Sequence, residues 1–249
     1  MRIFLAATAL GFSQKRYDEI IDKYKPLYLL ESFADGAKTC DRVLNHVDTD
    51  NFILDSGAFT IMNAKRINIS MEEWTEQYID YINSRNIKYF MEMDIDSVIG
   101  YDKVLQLRKR IEKSTNRPCI PVWHTSRGVK EYKRMLDEYD YVALGGLTKN
   151  VISPNDVKRL VYYARCKNKK VHGLGFTKPT LLNQIPFYSV DSCSYSKTAY
   201  MSASKMTFTG NGFVVERVAD RKTRLNARNI VVYNFANWCK YQRYMDGRW

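Results

Sequence analysis

The sequence predicts an α/β fold, a (β/α)8 barrel of the TIM type that ends in a hairpin and a long helix. Short apolar runs alternate with amphipathic, charged stretches along most of the 249 residues. Continuous apolar runs of this kind are typical of strands buried on both faces, as in parallel sheets. A chain of roughly 250 residues also matches the size of a barrel that forms one domain. A doubly wound open sheet is the alternative, because it shows the same alternation.

About eight apolar runs are candidate strands. The first, Arg2–Ala7, is followed by a helix that we expect to open near Ser13. This run also has some features of a signal peptide, but it is short and only one charge precedes it, so we favour a strand. The other candidate strands are Leu27–Leu30, Phe52–Leu54, Tyr89–Met91, Ile120–Trp123, Tyr141–Leu144, Val171–Leu174 and Phe187–Val190.

The segments between the runs have helical periodicity. Ser70–Ile82 opens with a capping box, in which Ser70 precedes Glu73 by three positions. The other helix candidates are 102–113, 129–139 and 156–166. The end of the chain differs, because Lys205–Arg217 alternates around a Gly-Asn-Gly turn and predicts a hairpin, which a helix over about 225–245 follows. We therefore expect one catalytic domain over 1–249, with 196–249 as its extension.

Composition limits the compartment and the partners. An apolar share of 45% excludes a disordered chain. The five cysteines are scattered, without any CxxC pair, so we expect a reducing cytoplasm and no disulfide framework. No apolar stretch approaches the roughly 18 residues of a membrane span. The net charge of +12 favours a polyanionic partner, first of all a nucleic acid.

Three carboxylates directly follow apolar runs. They are Asp55, Asp94 and Asp191. In a parallel barrel the carboxyl ends of the strands share one face, which carries the active site. Each Asp alone could be only a helix N-cap, but three in equivalent places favour a catalytic set. Paired carboxylates suit reactions at an anomeric carbon, where one attacks the sugar and the other transfers protons.

Other residues at strand ends suit a flat ligand. Gly145, Gly146 and Gly173 would let backbone groups approach such a ligand closely. Phe59 could stack on a heterocycle, although on this residue alone core packing is the preferred interpretation.

Four short motifs occur in order along residues 50–195. They are Asp55-Ser56-Gly57-Ala58-Phe59, Gly145-Gly146-Leu147, His172-Gly173-Leu174-Gly175 and Asp191-Ser192-Cys193. In order and in placement they resemble the tRNA-guanine transglycosylase superfamily. The resemblance implies that Asp191 is the nucleophile at C1′ and that Asp55 is the general acid and base.

The resemblance also implies a base-binding set. Asp94 would bind the donor edge of the base and Phe59 would stack on it, while His124 falls near the base-binding Gln of the family. The remaining substrate-binding positions that it suggests are Ser56, Gly145, Gly146, Leu147 and Gly173.

The chain departs from the tRNA enzymes of that superfamily in its metal ligands. Those enzymes carry a zinc site, Cys-x-Cys-x-x-Cys with a distant His, near the C-terminus. This chain has only Cys193 and Cys239 there and no His after His172, so we expect no metal and no cofactor. A short, basic chain without zinc resembles the phage and bacterial relatives that exchange guanine in DNA for a 7-deazaguanine such as preQ0.

We therefore expect a DNA-modifying pentosyltransferase in the cytoplasm, the host cytoplasm if it is encoded by a phage, with no membrane partner. The alternatives are a tRNA enzyme, a nucleoside glycosylase or deoxyribosyltransferase, and an inactive nucleic-acid-binding barrel. Two basic stretches, 108–110 and 165–170, are predicted to lie on solvated exteriors. The phosphate-contacting residues are predicted to be Lys205, Arg217, Arg221, Lys222, Arg224 and Arg228.

Overall fold

A computed structural model describes residues 1–6, 12–63, 69–147, 152–218 and 227–248. Eight parallel strands form one sheet. They are β1 (Arg2–Ala6), β2 (Leu29–Ser32), β3 (Phe52–Asp55), β4 (Tyr89–Phe90), β5 (Val122–Trp123), β6 (Tyr141–Leu144), β7 (Lys170–Gly173) and β8 (Ser189–Ser192). Their hydrogen-bonded order is β4-β3-β2-β1-β8-β7-β6-β5.

A short parallel bridge joins the two ends of this order. It pairs Met91, just after β4, with Ile120, just before β5. The N–H of Ile120 donates to the carbonyl of Phe90 at 2.8 Å, and that of Glu92 donates to the carbonyl of Ile120 at 3.2 Å. The sheet therefore curls round on itself, and the predicted barrel-type fold is confirmed.

Helices follow most of the strands. They are α1 (Gln14–Tyr24), α2 (Ala37–Leu44), α3 (Ala58–Asn63), α4 (Met71–Ser84), α5 (Asp96–Ile99), α6 (Tyr101–Thr115), α7 (Gly128–Glu138), α8 (Pro154–Cys166), α9 (Pro179–Leu182), α10 (Ser194–Ser202) and α11 (Ala227–Met245). Ser13, Ser70 and Ser153 cap α1, α4 and α8, because each hydroxyl accepts a backbone N–H of the first turn.

The predicted hairpin and long helix are both present. Strands β9 (Ser204–Phe208) and β10 (Phe213–Arg217) are antiparallel. On α11, the side chain of Asn234 accepts the N–H of Met206 at 2.7 Å, which fixes β9 against the helix. Gln242 of α11 donates to the carbonyls of Ile3 and Tyr28 at 2.6 and 2.8 Å, so the helix is also fixed to the first two strands.

The strands separate two apolar layers. Residues such as Phe4, Ile53 and Val122 fill the inside of the barrel, whereas Leu5 and Leu54 pack outward against the helices. Successive side chains of a strand alternate between the two faces. Asp55 therefore follows Ile53 onto the inner face at the carboxyl end of β3.

Among the described residues, no helix is long and apolar enough to cross a membrane.

Candidate active site

A cavity of about 550 Å³ lies at the carboxyl ends of the strands. It brings together Asp55, Asp94 and Asp191, although Asp55 and Asp191 are almost 140 residues apart in the sequence. Such a volume lies in the usual range of small-molecule sites, about 300–1,000 Å³. The other lining residues are Leu30, Phe59, Asp96, Ser97, His124, Thr125, Ser126, Gly145, Gly146, Ile152 and Leu174.

Asp191, at the end of β8, is held through one of its two oxygens. Its Oδ1 accepts the backbone N–H of Gly175 at 2.6 Å and lies 3.2 Å from Nε2 of His172. No hydrogen bond to Oδ2 occurs among the residues that the structure describes. The carboxylate thus has one fixed oxygen and one that is available to a ligand in the cavity.

Asp55, at the end of β3, is suited to proton transfer. The pKa of this carboxyl is raised to about 6, chiefly by burial; the charges of Asp94 and Asp191 add to the rise, and hydrogen bonds from Gly57 and Ser32 oppose it. The bond from the Gly57 N–H is 3.1 Å long. A carboxyl with a pKa near neutrality can both give and take a proton at working pH.

Asp94 forms a pair with His124. Oδ1 of Asp94 lies 2.6 Å from Nε2 of His124. Burial lowers the pKa of this imidazole, but the hydrogen bond and the charge of Asp94 outweigh burial and the net pKa is raised. The pair therefore offers the cavity a carboxylate acceptor beside a ring that can donate.

Arg127 ties this pair to a buried ionic cluster. Its Nη1 lies 3.1 Å from Glu92, its Nε 2.9 Å from Asp96 and its Nη2 3.6 Å from Asp94. Glu92 is completely buried and also binds Nη2 of Arg108 at 2.6 Å. The prediction that Arg108 is solvated is therefore wrong: its side chain points from α6 towards a buried carboxylate.

Asp94, Asp96 and His124 could together hold a metal ion, since one ligand atom of each lies within 4.8 Å of the others. Arg127 already supplies positive charge there, through its contacts with both Asp94 and Asp96. The expectation of no metal and no cofactor stays a prediction.

The structure separates the predicted base-binding residues into two groups. Phe59, Gly145 and Gly146 line the cavity, and the side chain of Phe59 is 55% exposed rather than packed in the core. A Cβ atom at Gly145 would lie 2.4 Å from Cε1 of His124, so this glycine makes room for the imidazole ring.

Ser56, Leu147 and Gly173 do not line the cavity. Ser56 is buried, and its carbonyl accepts the indole N–H of Trp74 at 3.0 Å. The side chain of Leu147 belongs to the outer apolar layer. A Cβ atom at Gly173 would lie 2.9 Å from the ring of Phe187, so packing, rather than approach of a ligand, explains that glycine.

Half of the predicted phosphate-contacting residues can be placed. Lys205, Arg217 and Arg228 are exposed on β9, β10 and α11. Arg221, Lys222 and Arg224 lie outside the described residues.

His172 and Arg127 are site residues that sequence reasoning missed. The strand periodicity could have indicated His172, because it lies opposite Ser189 in the register of β7 and β8, on the same face as Asp191. For Arg127 no local signal exists, since its carboxylate partners lie about thirty residues earlier in the chain.

Comparisons with known proteins show the fold. No protein-family model matches the chain, and no curated protein matches it in sequence. The carboxyl transferase domain of Rhizobium etli pyruvate carboxylase, solved with pyruvate, has a TM-score of 0.51 and 12% identity over 98% of this chain and 48% of that one. A protein from Coccidioides immitis described as a fructose-1,6-bisphosphate aldolase has a TM-score of 0.55 and 10% identity over 98% of this chain and 92% of that one.

This chain spans about half the length of the carboxyl transferase structure that it matches. The likeness shows that the chain has a TIM-type barrel. At 10–12% identity, the likeness concerns the fold and not the activities of these two proteins.

Proposed function

We propose that the chain is a pentosyltransferase that replaces guanine in DNA with a 7-deazaguanine, such as preQ0, through a covalent bond between Asp191 and C1′. The observation that carries the proposal is that Asp55 and Asp191 line one cavity. The pKa of Asp55 is raised to about 6, which suits proton transfer, and Asp191 has Oδ1 held by hydrogen bonds and Oδ2 available to a sugar.

Two half-reactions follow from these roles. Oδ2 of Asp191 attacks C1′ while the bond from C1′ to N9 of guanine breaks, and Asp55 gives its proton to the departing base. The incoming 7-deazaguanine then loses its N9 proton to Asp55 and attacks C1′, which releases Asp191 as a carboxylate. Atoms and charges balance without a cofactor.

The cavity offers contacts for a base. Phe59 can stack on its face, and the backbone of Gly145 and Gly146 can approach its edge. Asp94 can accept hydrogen bonds from the N–H groups of guanine, and His124 lies beside it to hold its orientation.

The net charge supports a nucleic acid as the polymer, and the missing zinc ligands favour DNA over tRNA. A net charge of +12 suits a phosphodiester backbone, and the zinc ligands of the tRNA enzymes are missing from this sequence. The target base would have to be flipped out of a duplex, or be presented by a single strand, before C1′ could reach Asp191.

The test is to incubate purified protein with guanine-containing DNA or with tRNA, together with a 7-deazaguanine, and to analyse the digested nucleosides by mass spectrometry. We expect the modified nucleoside in DNA and none with Asp191→Ala. Asp102→Ala is the control, because Asp102 is exposed on α6.

Three other outcomes would overturn the proposal and identify a different function. Modified tRNA alone would identify a tRNA enzyme, and base exchange on free nucleosides alone would identify a nucleoside deoxyribosyltransferase. DNA binding without base release, unchanged by Asp191→Ala, would identify an inactive binding barrel.

A further inference from the structure

We propose that His172 is the positioning residue of the nucleophile: it donates to Oδ1 of Asp191 and so turns Oδ2 towards the sugar. This inference rests on the proposed function, because it deepens the role of Asp191 there. It depends on a hydrogen-bonded series inside the barrel, in which Tyr141, Ser189, His172 and Asp191 follow one another.

The series is a consequence of strand register. Ser189 and Asp191 are two residues apart on β8, so both point inward. His172 of β7 is the register partner of Ser189, and its ring spans from that hydroxyl to Asp191. Tyr141 of β6 reaches the same hydroxyl from the other side.

The proton positions follow from the chemistry of each group. An ionised carboxylate only accepts, so Nε2 of His172 carries the proton that it donates to Oδ1 at 3.2 Å. When the ring carries only this proton, Nδ1 is the acceptor, and the Ser189 hydroxyl donates to it at 2.7 Å. Ser189 in turn accepts from the hydroxyl of Tyr141. The series therefore selects the tautomer that binds Asp191.

The surroundings leave the imidazole little freedom. His172 is fully buried, and its ring meets Phe4 and Tyr141 edge-on, with centroids 6.1 and 6.4 Å away. A ring held by packing and by a hydrogen bond at each nitrogen fixes the direction of its donor. Together with the N–H of Gly175, it engages Oδ1 from two sides.

This arrangement helps in both half-reactions. When Oδ2 bonds to C1′, Oδ1 becomes the carbonyl oxygen of the ester and keeps both donors. When the incoming base breaks that bond, charge returns to the carboxylate and is stabilised at Oδ1 by the same donors. His172 itself forms no bond to the sugar.

Matched substitutions separate positioning from packing. The side-chain amide of His172→Gln can take the place of Nε2 and donate to Asp191. That of His172→Asn takes the place of Nδ1 and reaches only Ser189. His172→Leu keeps apolar bulk but has no donor. The readout is the rate at which the covalent protein–DNA adduct forms, followed on denaturing gels, together with the KM for the incoming base.

We expect adduct formation to slow by about 10- to 100-fold in His172→Leu and His172→Asn, as for loss of a hydrogen bond to a charged group. His172→Gln should recover most of the rate, and the KM for the base should not change. Equal rates for the Gln and Asn variants, or a wild-type rate for the Leu variant, would overturn the inference. Ser189→Ala and Tyr141→Phe test the same series with smaller changes, and each should slow the reaction less than His172→Leu.

Nitrogen-15 NMR of the histidine rings tests the inference without any activity. The chain has only three histidines, so the spectrum can be assigned with His46→Gln and His124→Gln. We expect His172 to be protonated at Nε2 in the free protein and to become a mixture of tautomers in Asp191→Ala. A ring protonated only at Nδ1 would overturn the inference. A protein with the expected spectrum but no exchange on any substrate would instead overturn the proposed function.

Discussion

The ring of His124 lies so close to the backbone of Gly145 that a Cβ atom there would come within 2.4 Å of Cε1. The same ring holds Asp94 at 2.6 Å through Nε2. Gly145 therefore makes room for the ring that holds Asp94, and the proposed base-binding pair of Asp94 and His124 depends on a glycine at this position.

Gly145→Ala should displace the imidazole from Asp94 and reduce base exchange by about 10- to 100-fold, the cost of a small misplacement in an active site. Overpacking should also lower the free energy of unfolding by about 1–3 kcal/mol. Activity assays and urea unfolding measure the two effects. Gly212→Ala is the matched control, because nothing lies within 4 Å of a Cβ atom there and both properties should stay as in the wild type. Full activity in Gly145→Ala would show that the contact is dispensable.

The pKa of Asp55, raised to about 6 chiefly by burial, predicts the pH dependence of adduct formation. The first half-reaction as proposed needs the protonated carboxyl, whose fraction falls as the pH rises through 6. The kcat/KM for adduct formation should therefore decline about tenfold per pH unit above that value. Asp55→Asn should be slow at every pH and show no such decline. A rate that rises from pH 6 to pH 8 would assign the acid to another group.

The same carboxyl should reduce stability at neutral pH. Its folded pKa of about 6 lies above its ordinary value of 3.8, so the folded state binds the proton more tightly. The tighter binding of the proton contributes fully to folding stability below the ordinary pKa of 3.8, and this contribution is lost as the pH rises through 6. At pH 7.5, Asp55→Asn should raise the free energy of unfolding by about 2 kcal/mol, less than the full shift implies because the side chain is partly exposed. Urea unfolding at pH 7.5 and at pH 3.5 should show the gain only at the higher pH.

The buried pair of Glu92 and Arg108 should matter more to stability than a similar pair on the surface. Arg108→Met leaves the carboxylate of Glu92 without one of its two guanidinium partners, and removing one member of a buried pair costs about 3–5 kcal/mol. Arg110→Met is the control on the same helix. Arg110 pairs with Glu76 at 2.6 Å with both side chains about half exposed, and its loss should cost about 1 kcal/mol or less. Chemical unfolding measures both, and equal losses would contradict the distinction.

Local patterns were enough to predict the barrel, the caps and the carboxylates at the strand ends. Each depends on residues that are near one another in sequence: Ser70 caps its own helix, and Asp55 directly follows its own strand. The common edge of a parallel sheet then brings distant strand ends together without further information.

Contacts between side chains on different helices and strands could not be predicted from local patterns. Arg108 belongs to a charged run that is typical of an exposed surface. Its side chain is buried because this position on α6 faces Glu92, which lies just after β4. Ser56 and Gly173 belong to the motifs of the resemblance, yet side chains from other elements, Trp74 and Phe187, account for their surroundings. A motif fixes the order of residues but not which of them face the cavity.

The exposed cations Lys205, Arg217 and Arg228 predict how DNA binding depends on salt. A lysine or arginine that contacts a phosphate releases about one counterion, so replacing it with Ala should weaken binding and reduce the slope of log K against log salt by about one. The loss should be similar for different DNA sequences, because phosphate contacts carry no base readout. Fluorescence anisotropy with labelled DNA between about 50 and 200 mM salt measures the slope in the range where it is steep. Arg159→Ala is the control, since that side chain is 82% exposed on α8, outside the C-terminal extension. If Arg159→Ala lowered the slope as much as the other three, the net charge of the whole protein, rather than a defined surface, would hold the DNA.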